Sequence, residues 1–306
     1  MEHRIDPERI HHDWDRRIEP ALRVASGDTV SLELAMTARG QVHEGGTFAQ
    51  ASFDFDTLYN LAGPIHVEGA APGDTLRIDV LALEPGDWGW AVIIPGQGLL
   101  PDRFPDGHLR TFDLRGRDVA QLGERVRIPL APFLGTIGTH PGEPEVAPVL
   151  PPHRGGGNID NRHLTAGCTV WLPIFCEGAL FSCGDPHAVQ GDGEVCVTAI
   201  ECDMHATLRL SVTRGELTAP QFRTPGPLAP ATATAVHHGT MGIAGDLMEG
   251  ARIATGAMID WLISEHGLDE RDAYILCSLA GDLKLLEVVD AGIWNVGMTL
   301  PLSVLG

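Results

Sequence analysis

Two segments, TVSLELAM at residues 29–36 and TLRIDVLA at residues 75–82, decide the fold class of this 306-residue chain. Apolar residues recur at every second position in both segments, and a period of two places them on one face of a strand. The turn sequence APGD at residues 71–74 leads into the second segment. Both segments therefore predict half-buried β-strands. The alternating apolar positions are Val30, Leu32, Leu34 and Met36, then Leu76, Ile78, Val80 and Ala82.

The composition extends this prediction to the rest of the chain. Gly (37) and Pro (22) are frequent without any repeat, which is typical of many turns between short strands. Residues 84–152 look irregular apart from one strand. The further predicted strands are RVRIPL at 125–130, TVWLPIF at 169–175, GEVCVTAIE at 193–201, TLRLSVT at 207–213 and a segment at 283–289.

One long helix is predicted near the C-terminus. Asp246 is a good N-cap and Gly267 a good C-terminal cap, and a shorter helix should follow at residues 269–279. The chain is therefore expected to be mainly β, of the α+β type. We place a domain boundary near Pro151, giving an N-terminal β-rich domain (1–150) and a C-terminal β-rich domain with the helices (151–306). The apolar helix face is Leu247, Ala251, Ala254, Met258, Trp261 and Leu262.

The charge balance argues against two classes of partner. With 21 Lys and Arg against 41 Asp and Glu, the formal net charge is -20, and such a surface repels nucleic-acid phosphates and anionic lipid headgroups. The charged N-terminus lacks a signal-peptide core, and no apolar run approaches the ~20 residues of a membrane span. The six cysteines show no CxxC spacing. We therefore expect a soluble, cytoplasmic protein with reduced cysteines.

The segment from residue 153 to residue 201 holds the densest set of potential metal ligands. Asp160, Asp185 and His187, with Glu194 close behind, form a mixed carboxylate and imidazole set of the kind that binds Zn²⁺ or another divalent ion with a position open for water. Asn158 and Asp160 are two residues apart, as are Asp185 and His187, so in extended backbone each pair leaves the same face. The alternative is a satisfied polar turn at a strand end.

Two glutamates are candidates for proton transfer. Glu194 begins a predicted strand, where burial would raise its pKa toward that of a general base; the alternative is a surface carboxylate at a turn. Glu201 is the weaker candidate, because an odd offset of seven residues places it on the opposite face of that strand.

Nucleophilic catalysis has little support in the sequence. Ser182 lacks a GxSxG context, and no cysteine belongs to a recognisable Cys/His signature. The remaining histidines, including His140, His237 and His238, are most simply polar surface or turn groups.

Three segments, at residues 63–85, 155–174 and 178–201, resemble signatures of the acetamidase/formamidase family, in its shorter, acetamidase-like branch. The family pattern GD-x-H-x-x-QG-x-GE is present at residues 184–194, and GGN-x-D at residues 156–160. The resemblance covers most of the chain in order.

The resemblance implies a mainly β fold with jelly-roll or β-sandwich-like parts, a homo-oligomer (dimer or higher) and metal-dependent hydrolysis of small aliphatic amides. The metal would be Zn²⁺, with Ca²⁺ as the alternative, held by Asp160, Asp185 and His187. Glu194 would accept a proton and Asn158 would donate a hydrogen bond to the substrate. Most of the site would then lie in residues 151–306, in a pocket tight enough to exclude larger amides.

Two other hypotheses keep the same metal ligands but assign the protein a different function. A cupin-like β-sandwich could support a metal-dependent isomerase or oxygenase. A closed coordination shell would instead indicate a binding module that a structural metal stabilises without turnover.

Overall fold

A computed structural model describes residues 1–226, 228, 235–288 and 292–306. The model is 41% strand and 13% helix, which confirms the mainly β prediction. The strands, numbered in chain order, are β1 (Glu2–Arg4), β2 (Ile10–His11), β3 (Asp13–Asp15), β4 (Leu22–Val24), β5 (Thr29–Leu34), β6 (Leu61–Val67), β7 (Thr75–Ile93), β8 (His108–Asp113), β9 (Val119–Leu122), β10 (Val126–Pro129), β11 (Phe133–Gly138), β12 (Val146–Pro148), β13 (Gly156–Asn158), β14 (Thr169–Pro173), β15 (Phe181–His187), β16 (Glu201–Thr213), β17 (Gln221–Arg223), β18 (His237–Ala244), β19 (Asp282–Glu287) and β20 (Trp294–Pro301).

The two alternating segments form β5 and β7, which flank the same strand. Both pair antiparallel with β16, so the middle of the sheet runs β5–β16–β7. Their alternating side chains are buried, from Val30 and Leu32 on β5 to Leu76 and Ile78 on β7. These residues belong to the largest hydrophobic core, to which the helix at Glu270–Ala280 also contributes.

Strands from both halves of the sequence meet in a 13-stranded sheet. Its main path runs β13–β11–β15–β16–β7–β14–β17, and β5 and β6 branch from it. The division into residues 1–150 and 151–306 stays a prediction. For the site, the important part is the antiparallel neighbourhood of β13, β11, β15 and β16, because it carries the acidic residues and the histidine described below.

The helices begin and end where the capping residues predict. Helix α1 (Leu247–His266) has Asp246 as its N-cap, with the side chain accepting from the Glu249 amide, and Gly267 ends it in left-handed conformation (φ 64°). Helix α2 (Glu270–Ala280) follows directly, and short 3₁₀ turns occur at Phe48–Gln50 and Leu302–Val304. Leu247 was predicted to face the core but is 39% exposed. Within the described part of the chain, no helix combines the length and apolarity that crossing a membrane requires.

A second sheet, β18–β20–β19, lies against α1. β19 overlaps the predicted strand at 283–289, of which residue 289 lies outside the described residues. The buried side chains of β20 and of α1 contribute to the same core.

The prediction of an irregular segment at residues 84–152 was wrong. β7 continues to Ile93, and β8, β9, β11 and β12 lie in this segment together with the predicted strand β10. In this segment glycine does not end the strands; at Gly89 it allows two strands to pack closely. A Cβ on Gly89 would lie 2.6 Å from the Glu201 carbonyl oxygen, so only glycine allows β7 and β16 to approach this closely.

The predicted strand at residues 193–201 is also absent, because only Glu201 is extended, as the first residue of β16. Glu194 and Val197 have positive φ values of 43° and 75°, which break any extended run.

Candidate active site

The predicted ligands and Glu201 come together from three strands of the large sheet, β13, β15 and β16. Asp185 and His187 lie at the end of β15, and both side chains are buried. Glu201, the first residue of β16, is the strand partner of His187. Asp160 follows β13, in a turn whose backbone amide donates to the Gly135 carbonyl of β11 at 3.1 Å. Four acidic or imidazole groups thus converge from three strands of one sheet.

Gly135 makes this convergence sterically feasible. A Cβ at this position would lie 2.6 Å from Asp160 Oδ1, 2.7 Å from Asp185 Oδ2 and 2.7 Å from His187 Cε1. Only a residue without a side chain leaves the space in which these groups approach one another.

Three of the predicted site residues have left-handed backbone conformations that side chains other than glycine rarely adopt. The φ values are 44° for Asp160, 52° for Asp185 and 43° for Glu194. Such conformations cost on the order of 1–3 kcal/mol each and cluster at functional sites. The surrounding sheet therefore holds these carboxylates at a cost in stability.

The tautomer of His187 follows from its neighbour Gln190. The Gln190 Nε2 group donates to the Asp160 carbonyl at 3.0 Å, which leaves Oε1 to face His187 Nδ1, also at 3.0 Å. Because Oε1 can only accept, Nδ1 is the donor. Nε2 then points toward the carboxylates, 3.4 Å from Asp185 Oδ1 and 3.3 Å from Glu201 Oε2.

Three of the converging polar atoms are buried without a hydrogen-bond partner among the described residues. They are Asp160 Oδ1, His187 Nε2 and Glu201 Oε2. One ligand atom from each of Asp160, Asp185 and His187 lies within 4.8 Å of the others, and the same holds for His187, Glu194 and Glu201. Buried polar atoms are almost always satisfied, so this cluster fits a bound cation. A gathering of carboxylates around one imidazole is chemically suited to Zn²⁺.

The protonation of the cluster reflects burial and mutual repulsion. Burial, and then the Asp185 charge, raise the pKa of Asp160 to about 7. Burial, followed by the adjoining Asp160 carboxyl group, raises the pKa of Glu194 well above its ordinary value, and burial also raises the pKa of Glu201. For Asp185, burial is outweighed by His187, which lowers the pKa of that carboxyl group. The raised pKa values reflect the cost of placing several negative charges side by side in a buried site, a cost that a bound divalent cation would offset.

Asn158 and two threonines support the cluster from the sheet side. Thr37 Oγ1 donates to Asp185 Oδ1, and Thr136 Oγ1 donates to Asn158 Oδ1 at 2.6 Å. Asn158 Nδ2 donates to the Leu150 carbonyl at 3.2 Å. One N–H of the Asn158 amide is therefore left for a substrate, which is compatible with the role predicted for it.

The prediction that Glu201 lies on the opposite face from Glu194 was wrong, because carboxylate oxygens of the two residues lie within 4.8 Å of each other. Counting seven residues from Glu194 assumed one continuous strand, but residues 193–200 turn instead of extending. The Glu201 carboxylate accepts from the Ala199 amide through Oε1 at 3.1 Å and presents Oε2 to His187. A glutamate 3% exposed at the start of a strand is positioned as a site residue.

The other polar candidates lie away from the cluster. Ser182 Oγ lies 2.9 Å from His11 Nε2 in a buried contact. His140 is held by backbone groups, including the Gly142 amide at 3.0 Å. His238 stacks on Trp261 on the face of the second sheet. Neither His140, His237 nor His238 lines the cavity in the described part of the chain.

The cluster forms one end of a cavity of about 490 Å³. Its other walls are largely apolar, and the connection between β5 and β6 contributes the largest share of them, with Trp90 on β7 among the rest. The non-ligand lining residues are Thr37, Phe53, Phe55, Leu58, Tyr59, Trp90, Ile94, Gln97, Leu150, Asn158, Val197 and Thr198.

The chain is similar in sequence or fold to several known proteins. Relatives include the acetamidase of Mycolicibacterium smegmatis, 30% identical over 65% of this chain, and the chain spans only 65% of that relative's length. The crystal structure of an acetamidase from Bacillus halodurans is 30% identical, with a TM-score of 0.69 over 98% of this chain and 97% of that one. A gamma lactamase from Delftia acidovorans shares the fold, with a TM-score of 0.91 at 23% identity over 100% of this chain and 93% of that one.

Nearly the whole chain also matches the model of one protein family. The family model described as Acetamidase/Formamidase family matches residues 2–147 and 143–305, so it covers nearly the entire chain. Both sequence patterns that carry the resemblance, at residues 156–160 and 184–194, lie within the matched ranges. The chain therefore belongs to the Acetamidase/Formamidase family.

Proposed function

We propose that the chain hydrolyses amides to a carboxylate and ammonia with the help of a bound divalent cation, Zn²⁺ in the first place and Ca²⁺ as the alternative. Family membership supports the amide bond as the target. The observation that carries the metal dependence is the set of unpartnered buried atoms, Asp160 Oδ1, His187 Nε2 and Glu201 Oε2. Among the described residues these three atoms have no hydrogen-bond partner, which supports a bound cation.

The proposed ligands are Asp160, Asp185 and His187, and we add Glu201 because its Oε2 lies 3.3 Å from His187 Nε2. A cation held by these residues would lower the pKa of a water molecule and polarise the amide carbonyl. Gln190 fixes the imidazole so that Nε2 is available as a ligand atom.

Glu194 is the proposed proton carrier. Its carboxyl group adjoins Asp160 and lies in the ligand cluster with His187 and Glu201. In the proposed reaction it takes a proton from the attacking water as the new C–O bond forms, and delivers that proton to the amide nitrogen as the C–N bond breaks. The products are the carboxylate and ammonia. The free N–H of Asn158 is available to hold the substrate in place.

Ammonia release tests the proposal. Protein stripped with a chelator should release no ammonia from acetamide or hexanamide above background, and Zn²⁺ should restore the activity. Glu194→Gln should lower kcat by about 10²–10⁴-fold without loss of the metal. The matched control is Glu177→Gln at an exposed position, which should keep wild-type activity. Full activity in the stripped protein, or in Glu194→Gln, would overturn the proposal.

Experiments on the same protein also test the two other hypotheses, a metal-dependent isomerase or oxygenase and a binding module with a structural metal. Oxygen consumption by an iron-loaded sample would favour an oxygenase, whereas a metal that raises thermal stability without any turnover would favour a structural site.

We also propose a homo-oligomer, dimer or higher. The outer side of the second sheet supports this, because Met241 and Ile243 on β18 are 61% and 63% exposed. The eight residues of β18 include no Asp, Glu, Lys or Arg, although the chain carries a net charge of -20. An uncharged apolar face allows two acidic chains to associate with little repulsion at the contact. The cytoplasmic location stays a prediction.

A further inference from the structure

The ligand cluster forms only part of the cavity lining, and the rest is largely apolar. Phe53, Leu58, Tyr59, Trp90 and Ile94 all line it. They also belong to one hydrophobic cluster, separate from the main core of the protein. The apolar side of the cavity is therefore a continuous surface and not a few scattered side chains.

Hydrogen bonds hold this wall in place. Most of it comes from the 26-residue connection between β5 and β6, residues 35–60. Within it, the Asp54 carboxylate accepts from the Asp56 amide at 3.1 Å and from the Thr57 hydroxyl at 3.0 Å. Gln41 Oε1 accepts from the Asp54 amide at 2.6 Å. Phe53 then packs on Trp90 with ring centroids 6.0 Å apart. A long connection organised in this way is typical of a binding loop.

The mouth of the cavity is apolar as well. Phe55 and Leu150 line the cavity, yet they are 54% and 52% exposed. Large apolar side chains left in water at the edge of a cavity mark a surface that binds apolar groups.

The volume of the cavity exceeds what a small amide needs. If each small heavy-atom group takes about 30 Å³, the share of one molecule in liquid water, the four heavy atoms of acetamide take about 120 Å³. That is about a quarter of the 490 Å³. A substrate that filled the polar end alone would leave the apolar wall in contact with water, so the pocket is not the tight one expected from the sequence.

We propose that the apolar wall binds the acyl group of the substrate, and that the preferred substrates are primary amides with a hydrocarbon acyl group longer than that of acetamide. The proposal rests on the amide hydrolysis proposed above. The amide group lies at the carboxylate end, and the chain extends along Phe53, Leu58 and Trp90 toward the mouth. Each buried methylene should then raise kcat/KM by up to about fourfold.

A series of substrates tests this directly. Ammonia release by the Zn²⁺-loaded protein is measured with acetamide, butanamide, hexanamide and octanamide, and with 6-hydroxyhexanamide as a polar molecule of similar length. We expect kcat/KM to rise at least about tenfold from acetamide to hexanamide, and the terminal hydroxyl to cancel part of the gain. If kcat/KM is equal across the series, or highest for acetamide, the inference is wrong while amide hydrolysis stands.

Variants locate the effect on the wall. Phe53→Ala and Leu58→Ala should each lower the hexanamide-to-acetamide ratio of kcat/KM by about fivefold or more. Phe222→Ala is the matched control, because Phe222 is an exposed aromatic residue of β17 that does not line the cavity. It should leave the ratio unchanged. An unchanged ratio in both wall variants would contradict the inference.

A binding measurement keeps the two proposals distinguishable. Calorimetric titration of Glu194→Gln with hexanamide and acetamide measures the preference without turnover. Tighter binding of hexanamide than of acetamide, with no ammonia release by the wild-type protein, would support acyl-group binding by the apolar wall and refute the proposed hydrolysis. If hexanamide binds no more tightly than acetamide, the proposal that the apolar wall binds the acyl group is wrong.

Discussion

His187 donates from Nδ1 to Oε1 of Gln190 at 3.0 Å, and this contact decides which ring nitrogen faces the carboxylates. Gln190 is in turn oriented by its second hydrogen bond, to the Asp160 carbonyl at 3.0 Å. The amide of one residue thus links the backbone of one proposed ligand to the side chain of another.

Replacing Gln190 should weaken metal binding without removing a ligand. In Gln190→Ala the imidazole loses its acceptor and the Asp160 turn loses a donor, so we expect Zn²⁺ affinity to fall about 10–100-fold. Competition with a chromophoric chelator measures the affinity. Gln121→Ala, at an exposed position of β9, is the matched control and should bind Zn²⁺ as the wild type does. Equal affinities in the two variants would show that Gln190 has no orienting role.

Gly135→Ala should disrupt the same site by steric overlap. The added methyl group would lie within 2.7 Å of atoms of Asp160, Asp185 and His187, so these groups must separate. We expect loss of Zn²⁺ binding and of activity, with a decrease of about 1–3 kcal/mol in the free energy of unfolding. Gly226→Ala is the control, because a Cβ there meets no atom of the described residues within 4 Å. Zn²⁺ binding and urea unfolding are measured on both, and retained binding in Gly135→Ala would contradict the described geometry.

Local signals predicted much of the fold and part of the site. The alternation in β5 and β7 and the caps Asp246 and Gly267 depend only on neighbouring residues, and the structure confirms them. Asp185 and His187 were expected on one face of extended backbone; β15 does bring both into the cluster, but Asp185 itself is left-handed, with φ 52°.

The missed site residues depend on chain geometry that residue spacing does not reveal. Glu201 entered the site because left-handed residues at 194 and 197 interrupt the expected strand. Thr37 bonds to Asp185 across 148 residues, and the apolar wall comes from a connection without any periodic pattern. Such pairings follow from the order of strands in the sheet.

The exposed face of β18 gives a prediction about assembly. Met241→Lys combined with Ile243→Lys places two like charges on the proposed contact between copies of the chain, so the oligomer should dissociate to monomers at micromolar concentration. Light scattering after size exclusion measures the mass. The control Leu81→Lys changes an exposed apolar residue of β7 and should keep the wild-type mass. If the double variant also keeps the wild-type mass, the contact lies elsewhere.

His11 gives a prediction about acid stability. Its Nδ1 donates to the Asp13 carbonyl at 2.7 Å, so in the neutral ring Nε2 accepts from the Ser182 hydroxyl. Burial lowers the pKa of His11 from 6.5 to about 4. Between these values the unfolded chain binds a proton that the folded chain does not, so the stability from neutral His11 is complete above pH 6.5 and falls as the pH drops toward 4.

The loss associated with His11 should amount to at most about 3 kcal/mol between pH 7 and pH 4, at about 1.4 kcal/mol for each pH unit of the shift. Gln at position 11 retains a donor and an acceptor but cannot be protonated. The difference in free energy of unfolding between the wild type and His11→Gln should therefore shrink or change sign as the pH is lowered, which urea unfolding at several pH values measures. His43→Gln, at an exposed position, controls for the substitution and should change the stability by less than about 0.5 kcal/mol. A wild-type to His11→Gln difference that stays constant from pH 7 to pH 4 would show that His11 does not contribute to acid unfolding.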